Sequence, residues 1–500
     1  MLPETRRCLV TGATGYVGGR LVPELLAAGH EVRVMVRDPK RVRGQAWADD
    51  VEIAEADATD PAAVGKALHG VDVAYYLLHS IGSGAGFVDT EADIARTFAD
   101  AAADADVQRL VYLGGLAPQH EDLSAHMASR QRVGEILLDS PVPTVVLRAA
   151  VVIGSGSASF EMLRHLTERL PVMITPKWVD SRLQPIAIRD VLRYLVGCAT
   201  MPADVNRAFD VGGPDVLTYK EMMQRYAAVV GLPRRRMLRV PVLTPRLSSH
   251  WVGVVTPVPS GLAKPLVESV KHTAVTSEHD IAEHVPDPPE GLIGFDRSVE
   301  LALTRIKDLQ VPTRWSSASA AGAPSNPLPS DPDWAGGDLY VDERTREVDA
   351  PPEALWRVVE EIGGENGWYS FAPAWRVRGW LDRLSGGPGL RRGRRDPRDL
   401  VVGDALDWWR VEEAHDGRFL RLRAEMRLPG LAWLELRVGS DDGGTTTFHQ
   451  KALFHPRGFL GHAYWWAVYP FHGIVFGSMQ RNVAEAAERR AADPTADLRP

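Results

Sequence analysis

The most specific chemical signal in the sequence is a glycine-rich segment, TGATGYVG at residues 11–18. Glycines at this spacing, between a β-strand and a helix, form the turn that holds the pyrophosphate of a dinucleotide. The helix start then offers unpaired N–H groups and a partial positive charge to the phosphates. A helix-capping turn is the purely structural alternative. We predict a nicotinamide dinucleotide site at Gly12, Thr14, Gly15, Tyr16, Val17 and Gly18.

The tip of the next predicted strand distinguishes NADP from NAD. An arginine there accommodates the 2′-phosphate of NADP, whereas a carboxylate binds the ribose diol of NAD. Arg37 occupies the tip and favours NADP, although Asp38 follows it and could serve NAD. Asp57, after the third strand, is a candidate acceptor for the adenine amino group or a helix cap. Further basic residues lie nearby, which a solvated loop would also explain: Arg33, Lys40, Arg41 and Arg43.

The elements that must position this turn follow from hydrophobic periodicity. Apolar runs alternate with helical patterns, which predicts a parallel sheet covered on both faces. Right-handed crossovers make this a doubly wound Rossmann α/β sheet, with ligands at the carboxyl ends of its strands. Strands are predicted at Arg7–Thr11, Glu31–Arg37, Val51–Glu55, Val71–Leu78, Arg109–Leu113 and Pro143–Leu147, and helices at Tyr16–Ala28, Pro61–Leu68 and Phe87–Ala103.

Several segments together resemble the extended and atypical short-chain dehydrogenase/reductases, especially their NmrA-like and complex-I-39-kDa-like branches. The resemblance covers about residues 5–308. It implies that the loop after the fourth strand lines the nicotinamide end of an NAD(P) site, which makes Leu78 and His79 candidate contacts. The matching segments are TGATGYVG at 11–18, VQRLVYLGGL at 107–116, VPTVVLRAAVVIG at 142–154, QPIAIRDV at 184–191 and FDVGGPDVLTYKEM at 209–222.

The chain departs from this family at the catalytic positions. The family pattern is a serine after the fifth strand and then Tyr-x-x-x-Lys on the next helix. Here the strand-five position reads Leu113-Gly114-Gly115, and the window Ser124–Arg130 has His126 for tyrosine and Arg130 for lysine. His126 could act as general acid, and Arg130 could hold a ribose or an anion. His79 is a second acid/base candidate, and a loop histidine with a solvated arginine remains the structural alternative.

A second region follows a Ser/Ala/Pro-rich segment, which predicts a linker at 316–335. Nine of the 14 tryptophans lie beyond residue 334, so the two regions have different cores. Residues 336–491 predict a strand, a helix, antiparallel strands and a final helix. That order is similar to the α+β helix-grip proteins of the START/polyketide-cyclase (SRPBCC) superfamily, which implies an apolar cavity and a hydrophobic ligand. The preceding domain is predicted to span 1–315, with its nucleotide-binding core at about 5–150 and a substrate-side part at about 151–308.

The second region also contains less specific signals. Gly458–Phe476 is apolar for about 19 residues, yet Pro470 is expected to break it. A grip helix packed on a sheet and contact with a membrane surface are the two interpretations. Arg391–Arg395 is a basic cluster that suits a solvated loop or an anion site. The scattered histidines, which do not predict a metal site, are His449, His455, His462 and His472.

Composition limits the class of function. The formal net charge of −8 over 500 residues argues against general nucleic-acid binding. The two cysteines, Cys8 and Cys198, are too few for a disulfide framework. A strand begins within six residues of the start with no signal-peptide pattern, so we expect a cytoplasmic protein.

Three hypotheses follow from the sequence. The first is an NADP(H)-dependent oxidoreductase that acts on a hydrophobic carbonyl or enone, with the second domain holding or shielding the substrate. The second is a non-catalytic NADP(H)-binding redox sensor or assembly factor, because the Ser/Tyr/Lys set is missing. The third is a carrier of a hydrophobic ligand with a regulatory nucleotide domain.

Overall fold

The structure, a computed structural model, divides into two compact units. It describes residues 5–303 in the first unit, apart from 44, 79–86, 117–122, 176 and 240–271. In the second unit it describes residues 338–492, apart from 364–366, 370–399, 427 and 441–443.

The first unit alternates strands and helices along the chain. Its strands are β1 Arg7–Thr11, β2 Glu31–Val36, β3 Glu52–Glu55, β4 Val73–Tyr76, β5 Arg109–Gly115, β6 Thr144–Ala149, β7 Val151–Ile153, β8 Val172–Thr175, β9 Arg182–Leu183, β10 Pro185–Ala187, β11 Arg207–Val211, β12 Leu217–Thr218 and β13 Arg236–Arg239. Its helices are α1 Gly18–Ala27, α2 Pro61–Leu68, α3 Phe87–Asp104, α4 Ala125–Leu138, α5 Ala158–Arg169, α6 Ile188–Gly197, α7 Tyr219–Val229 and α8 Phe295–Leu303.

The central sheet is parallel and seven-stranded, in the order β11-β6-β5-β4-β1-β2-β3. The chain runs outward from β1 in one direction and from β4 in the other, so the order reverses between these two strands. Such a reversal opens a crevice at the carboxyl ends of the strands, where α/β proteins bind ligands. The predicted Rossmann class is therefore confirmed.

Alternation along β1 explains why helices cover both faces of this sheet. Cys8 and Val10 are buried in the core under α1 and α6, whereas Leu9 is buried in the core formed with α2, α3 and α4. A strand with no polar face must be covered on both sides. One strand of the central sheet was not predicted from the sequence. This strand, β11, pairs with β6 and extends the sheet by one position.

Among its described residues, the second unit has an antiparallel sheet and two helices. Its strands are β14 Tyr340–Val348, β15 Ala405–Leu406, β16 Trp409–His415, β17 Phe419–Ala424, β18 Gly430–Ser440 and β19 Thr446–Pro456, and its helices are α9 Pro352–Glu360 and α10 Gly458–Ala492. The sheet order is β14-β19-β18-β17-β16-β15. The sheet and the long closing helix confirm the predicted α+β class.

One local prediction for this unit was wrong. Pro470 does not break the apolar segment, because α10, which is 35 residues long in total, continues through it. Proline removes the hydrogen bond to the carbonyl of residue 466, and both residues lie on the exposed side of the helix, where water can replace that bond. Trp408 and Trp409 are both buried rather than alternating. Trp408 lies in a turn after Asp407, whose φ of +56° ends the strand alternation.

Within the described parts of the chain, no helix combines the length and hydropathy needed to cross a bilayer. Among the same residues, no group of three or more His, Cys, Asp and Glu side chains is arranged to hold a metal ion.

Candidate functional site

The crevice between β1 and β4 is bridged by one side chain. Backbone pairing of these strands ends at Val10 and Tyr75. Beyond that point the buried hydroxyl of Thr11 donates to the Tyr75 carbonyl at 3.0 Å and accepts from the Leu77 N–H at 2.8 Å. The hydroxyl therefore replaces the next rung of the sheet and holds both strand ends in place below the glycine turn.

The glycine turn itself is packed backbone against backbone. Gly12 has a φ of +65°, and a Cβ there would lie 2.5 Å from the Leu77 carbonyl oxygen. A Cβ on Gly18 would lie 2.4 Å from the Gly12 carbonyl oxygen. Neither position accepts a side chain, so the turn and the start of α1 lie as close as two backbones can. This is the geometry that lets a phosphate approach the chain.

The start of α1 supplies donors for an anion. The N–H of Gly15 is paired with the Gly12 carbonyl at 2.9 Å, whereas the N–H groups of Thr14, Val17 and Gly18 have no acceptor among the described residues. No side chain caps this helix. Unpaired N–H groups at a helix start, with the positive end of the helix dipole, bind phosphates well. These residues fit the pyrophosphate of a dinucleotide.

Tyr16 attaches the glycine turn to the loop after β7. The Arg20 guanidinium lies 4.2 Å from the centroid of the Tyr16 ring, and Arg20 also donates to the Ser155 carbonyl at 2.9 Å. A Cβ on Gly154 would lie 2.3 Å from the Tyr16 hydroxyl oxygen. This contact links the nucleotide end of the crevice to the segment that enters α5. It was missed because the sequence shows no spacing that connects residue 16 to residue 154.

The tip of β2 presents Arg37 to solvent, next to Asp57. The neighbouring Asp38 has its carboxylate engaged, since it accepts from the Lys40 N–H at 2.9 Å. Asp57 accepts from the N–H and the hydroxyl of Thr59. These two bonds, with a smaller contribution from Arg37, lower the pKa of Asp57. Asp60, not Asp57, caps α2. Arg37 is thus an exposed cation at the strand tip.

Arg33, which the sequence placed near this tip, lies elsewhere. It is buried in the middle of β2, donates to the Ala67 and His69 carbonyls at 2.7 and 2.8 Å, and pairs with Glu52 at 2.9 Å. The parallel register aligns Arg33 with Glu52. Four residues of strand separate it from Arg37, roughly 13 Å, so Arg33 ties β2 to β3 and α2.

The strand-five and helix positions that replace the family's catalytic pattern do come together. A Cβ on Gly115 would lie 3.5 Å from the Arg130 Cδ, so the arginine stem crosses the end of β5. The Arg130 Nε is buried and has no hydrogen-bond partner among the described residues. An unpaired buried N–H is costly. Arg130 therefore offers a donor to a ligand at the carboxyl end of β5.

His126 lies one helical turn before Arg130, at the position where the family has tyrosine, and its surroundings lower its pKa. Partial burial, and then the charge of Arg130, lower its pKa to about 3. The imidazole is neutral at physiological pH and can donate only through a ring N–H. The second acid/base candidate, His79, lies outside the described residues, and so do Arg391–Arg395. Leu78, at the end of the described segment, is half-buried.

A buried pair beneath Arg130 was not found from the sequence. Ser129 on α4 donates to the carboxylate of Glu91 on α3, and both are buried. Tyr112 on β5 donates to the Arg130 carbonyl at 3.3 Å, and burial raises its pKa to about 12. These contacts fix α4 against β5 and so fix where the Arg130 side chain begins. Ser129 lies inside the window that the sequence singled out, but its helix face could not be assigned.

The second unit has polar atoms inside its core. The space between its sheet and α10 is filled by buried residues such as Trp409, Leu436 and Met479. Among them, the Gln450 Oε1 and the Gln480 Nε2 are buried without a hydrogen-bond partner in the described residues.

The fold and the glycine turn together define an NAD(P)-binding Rossmann protein with a fused C-terminal α+β domain. Residues 12–148 match a family model described as NAD(P)H-binding. Residues 334–479 match one described as a protein of unknown function, DUF2867.

Two characterised relatives establish the family. The ceramide reductase of Caulobacter vibrioides is 31% identical over 303 residues, which are 58% of this chain and 92% of that protein. The (4-alkanoyl-5-oxo-2,5-dihydrofuran-3-yl)methyl phosphate reductase of Streptomyces griseus is 31% identical over 230 residues, 45% of this chain and 75% of that protein. The chain therefore belongs to the NAD(P)H-binding reductase family of these two proteins.

A third relative and a solved structure are more distant. The chloroplastic divinyl chlorophyllide a 8-vinyl-reductase of Zea mays is 27% identical over 47% of this chain and 61% of that protein. The triphenylmethane reductase of Citrobacter sp. superposes with a TM-score of 0.48 at 18% identity, over 59% of this chain and 99% of that one.

Proposed function

We propose that the protein is an NADP(H)-dependent reductase of a hydrophobic carbonyl or enone compound. The observation that carries the proposal is the glycine turn, which is packed backbone to backbone and directs unpaired N–H groups into the crevice between β1 and β4. The family membership supports reduction as the reaction type. Arg37 supports NADP over NAD, because it is an exposed cation at the tip of β2, beside Asp57.

Each part of the crevice has a separate task in this proposal. The N–H groups of Thr14, Val17 and Gly18 bind the pyrophosphate, and Arg37 binds the 2′-phosphate. Asp57, with one carboxylate oxygen not used by Thr59, accepts from the adenine amino group. Arg130 holds the ribose at the nicotinamide end. When bound, the cofactor supplies the hydride.

In this proposal His126 donates a hydrogen bond to the oxygen of the substrate carbonyl. With a pKa of about 3 it is not a cationic acid at neutral pH. A neutral imidazole can still polarise a carbonyl by donating its N–H, as happens in other enzymes. Arg130, which stays charged, would stabilise negative charge that develops on that oxygen. His79 remains a proposed second donor from the loop after β4.

The hydrophobic nature of the substrate rests on two observations. The relatives at 31% identity are named for a ceramide and for an alkanoyl-substituted compound. The fused domain has an apolar interior with two buried amides, Gln450 and Gln480, whose unpaired atoms could take one polar group of a ligand. We propose that this domain holds or shields the apolar part of the substrate.

A non-catalytic NADP(H)-binding sensor is the second candidate. It is favoured by two features: Gly114 and Gly115 stand where the family has a serine, and His126 carries no proton to give as a cation. In this candidate NADPH binds and raises the melting temperature, yet no substrate oxidises it.

The test begins with thermal-shift titrations of the protein with NADPH and NADH. It continues with NADPH oxidation, followed by fluorescence, in the presence of a medium-chain alkanone or alkyl enone. We expect stabilisation by NADPH, and turnover that Arg130→Ala reduces at least about tenfold in kcat/KM. Arg132→Ala is the matched control, because Arg132 lies on the same helix but is exposed and pairs with Asp89 at 3.4 Å.

The outcomes separate the candidates. Absence of stabilisation by either nucleotide contradicts both. Stabilisation by NADPH with no turnover favours the sensor. Turnover that is equally sensitive to Arg132→Ala contradicts the role of Arg130.

A further inference from the structure

The first half of α10 has an unusual distribution of charge. From Gly458 to Gln480 the helix contains no Asp, Glu, Lys or Arg. A helix that is apolar all round normally buries all of its sides. Here only one side is buried by the protein.

The side that faces the sheet contains the polar groups. His462 lies 3.4 Å from the Asp338 carboxylate, and His472 lies 3.4 Å from the Asp342 carboxylate. Between them, Trp465 is buried and stacks on Tyr340 with ring centroids 4.9 Å apart. The histidines of this segment are thus directed inward, towards the carboxylates of the residues at and just before β14.

The opposite side is apolar and exposed. Its large side chains have between 50% and 71% of their surface accessible. At 3.6 residues per turn they span an arc of roughly 200° around the helix axis, with Tyr469 at its edge, so they form one broad strip. They are Phe459, Leu460, Trp466, Tyr469, Phe471 and Ile474. We call these six residues the aromatic face.

The second half of the same helix is amphipathic, with apolar residues buried and charged residues exposed. Val483 and Ala487 are buried, while Arg481, Glu485 and Arg489 are exposed. The aromatic face is therefore a local property that ends at Arg481, and it leaves large apolar side chains exposed on a helix whose buried side is also largely apolar.

Charge at the two ends of the aromatic face indicates what covers it. Exposed Arg457 precedes the helix and exposed Arg481 follows the uncharged segment. At 1.5 Å per residue they lie roughly 36 Å apart along the axis. Between them, Trp466 and Tyr469 are the residue types that favour the boundary between lipid tails and headgroups. Arginines at both ends of such a strip match the phosphates of that boundary.

We propose that the aromatic face docks the protein on a lipid bilayer, with α10 lying in the plane of the interface and Arg457 and Arg481 contacting anionic headgroups. The other side of the helix stays on its own sheet, so only the exposed side enters the lipid. A protein partner or a second copy would also cover an apolar strip, but the interfacial residue types and the flanking arginines favour a bilayer. This proposal does not depend on the reductase activity.

The experiment is co-sedimentation of the full-length protein with vesicles. One set is phosphatidylcholine alone, and the other contains phosphatidylcholine and phosphatidylglycerol. Wild type should bind both and bind the anionic set more tightly, with a dependence on salt. The double variant Trp466→Glu/Phe471→Glu should reduce the partition coefficient at least about tenfold on both sets.

A matched control comes from the same unit. Val401 and Val402 are exposed by 54% and 58% but lie outside the aromatic face. Val401→Glu/Val402→Glu should bind vesicles like wild type. All three proteins should have the same melting temperature without lipid, because the changed residues are exposed. Brominated phosphatidylcholine should quench fluorescence less in Trp466→Phe than in wild type.

Three results would overturn the proposal. The first is no sedimentation of wild type with either vesicle set at low salt. The second is equal binding by wild type and the aromatic-face variant, which would assign binding to another surface. The third is a concentration-dependent dimer that the variant abolishes, without any vesicle binding, which would make a second copy the occupant.

Discussion

Substitution of Gly18 by alanine sets two effects of the same side chain against each other. Gly18 begins α1, and alanine in place of glycine normally stabilises a helix by about 1 kcal/mol. However, the added Cβ would lie 2.4 Å from the Gly12 carbonyl oxygen, 2.8 Å from the Gly12 carbonyl carbon and 3.0 Å from the Ala13 Cα. All three atoms are backbone, so no side chain can turn away to make room.

The size of the effect follows from these distances. A carbon and an oxygen need about 3.3 Å, so the glycine turn must move by roughly 1 Å. Overpacking of this kind costs about 1–3 kcal/mol. The helix gain of about 1 kcal/mol offsets part of that, and we expect Gly18→Ala to lower the free energy of unfolding by up to about 2 kcal/mol. The same displacement misplaces the N–H groups at the helix start, so NADPH affinity should fall at least about tenfold.

The control is Gly65→Ala in α2. Nothing lies within 4 Å of a Cβ at Gly65, so the helix gain acts alone. This variant should be more stable than wild type by about 0.5–1 kcal/mol and should bind NADPH normally. Urea unfolding and a fluorescence titration with NADPH measure both quantities. If Gly18→Ala were as stable as Gly65→Ala and bound NADPH with wild-type affinity, the close packing of the turn would be refuted.

Three further predictions follow from single contacts. Arg37→Ala should weaken NADPH binding about tenfold and leave NADH binding unchanged, whereas Arg41→Ala should change neither affinity. If Arg37→Ala lost the same affinity for both nucleotides in a binding titration, the role of Arg37 at the 2′-phosphate would be contradicted. The pKa of His126 falls from 6.5 to about 3 on folding, so the unfolded chain binds the proton more tightly; the contribution of His126 to stability is full above pH 6.5 and is lost as the pH falls towards 3. His126→Gln should therefore lose less stability in acid than wild type, by about 2–3 kcal/mol at pH ~4.5 in urea unfolding. Parallel pH profiles of the two proteins would contradict the burial of the ring. Gly461→Ala should destabilise the second unit by about 1–3 kcal/mol, because its Cβ would lie 2.4 Å from the Pro429 carbonyl oxygen. Gly473→Ala has open space around its Cβ and should stabilise α10 slightly. Thermal unfolding of the two variants tests this difference.

The sequence was informative wherever a pattern was local. The glycine turn, the six strands from β1 to β6 and the order of elements in the second unit were all predicted from periodicity and turn residues. Each of these depends on neighbours within about ten residues. β11 was missed because its five residues, RAFDV, include two charges, and only pairing with the distant β6 makes them a strand.

Site residues were harder to predict because their roles depend on depth. Arg33 and Arg37 are four residues apart on one strand, yet one is a buried tie between elements and the other is exposed at the tip. The difference is position along the strand, which a list of nearby cations does not contain. The pKa of His126 likewise depends on how deeply the start of α4 is buried and on how close the Arg130 charge lies to the ring. Neither can be obtained from sequence spacing.

The two hydrogen bonds of the Thr11 hydroxyl limit which residues can occupy that position. Valine has nearly the same shape and fits a buried strand, but it would leave both the Leu77 N–H and the Tyr75 carbonyl unpaired in the core. Serine keeps both bonds and loses only a methyl group. The width of the crevice between the two halves of the sheet is thus set by a hydroxyl rather than by packing volume. Among homologous chains with this geometry, position 11 should alternate between threonine and serine and exclude valine.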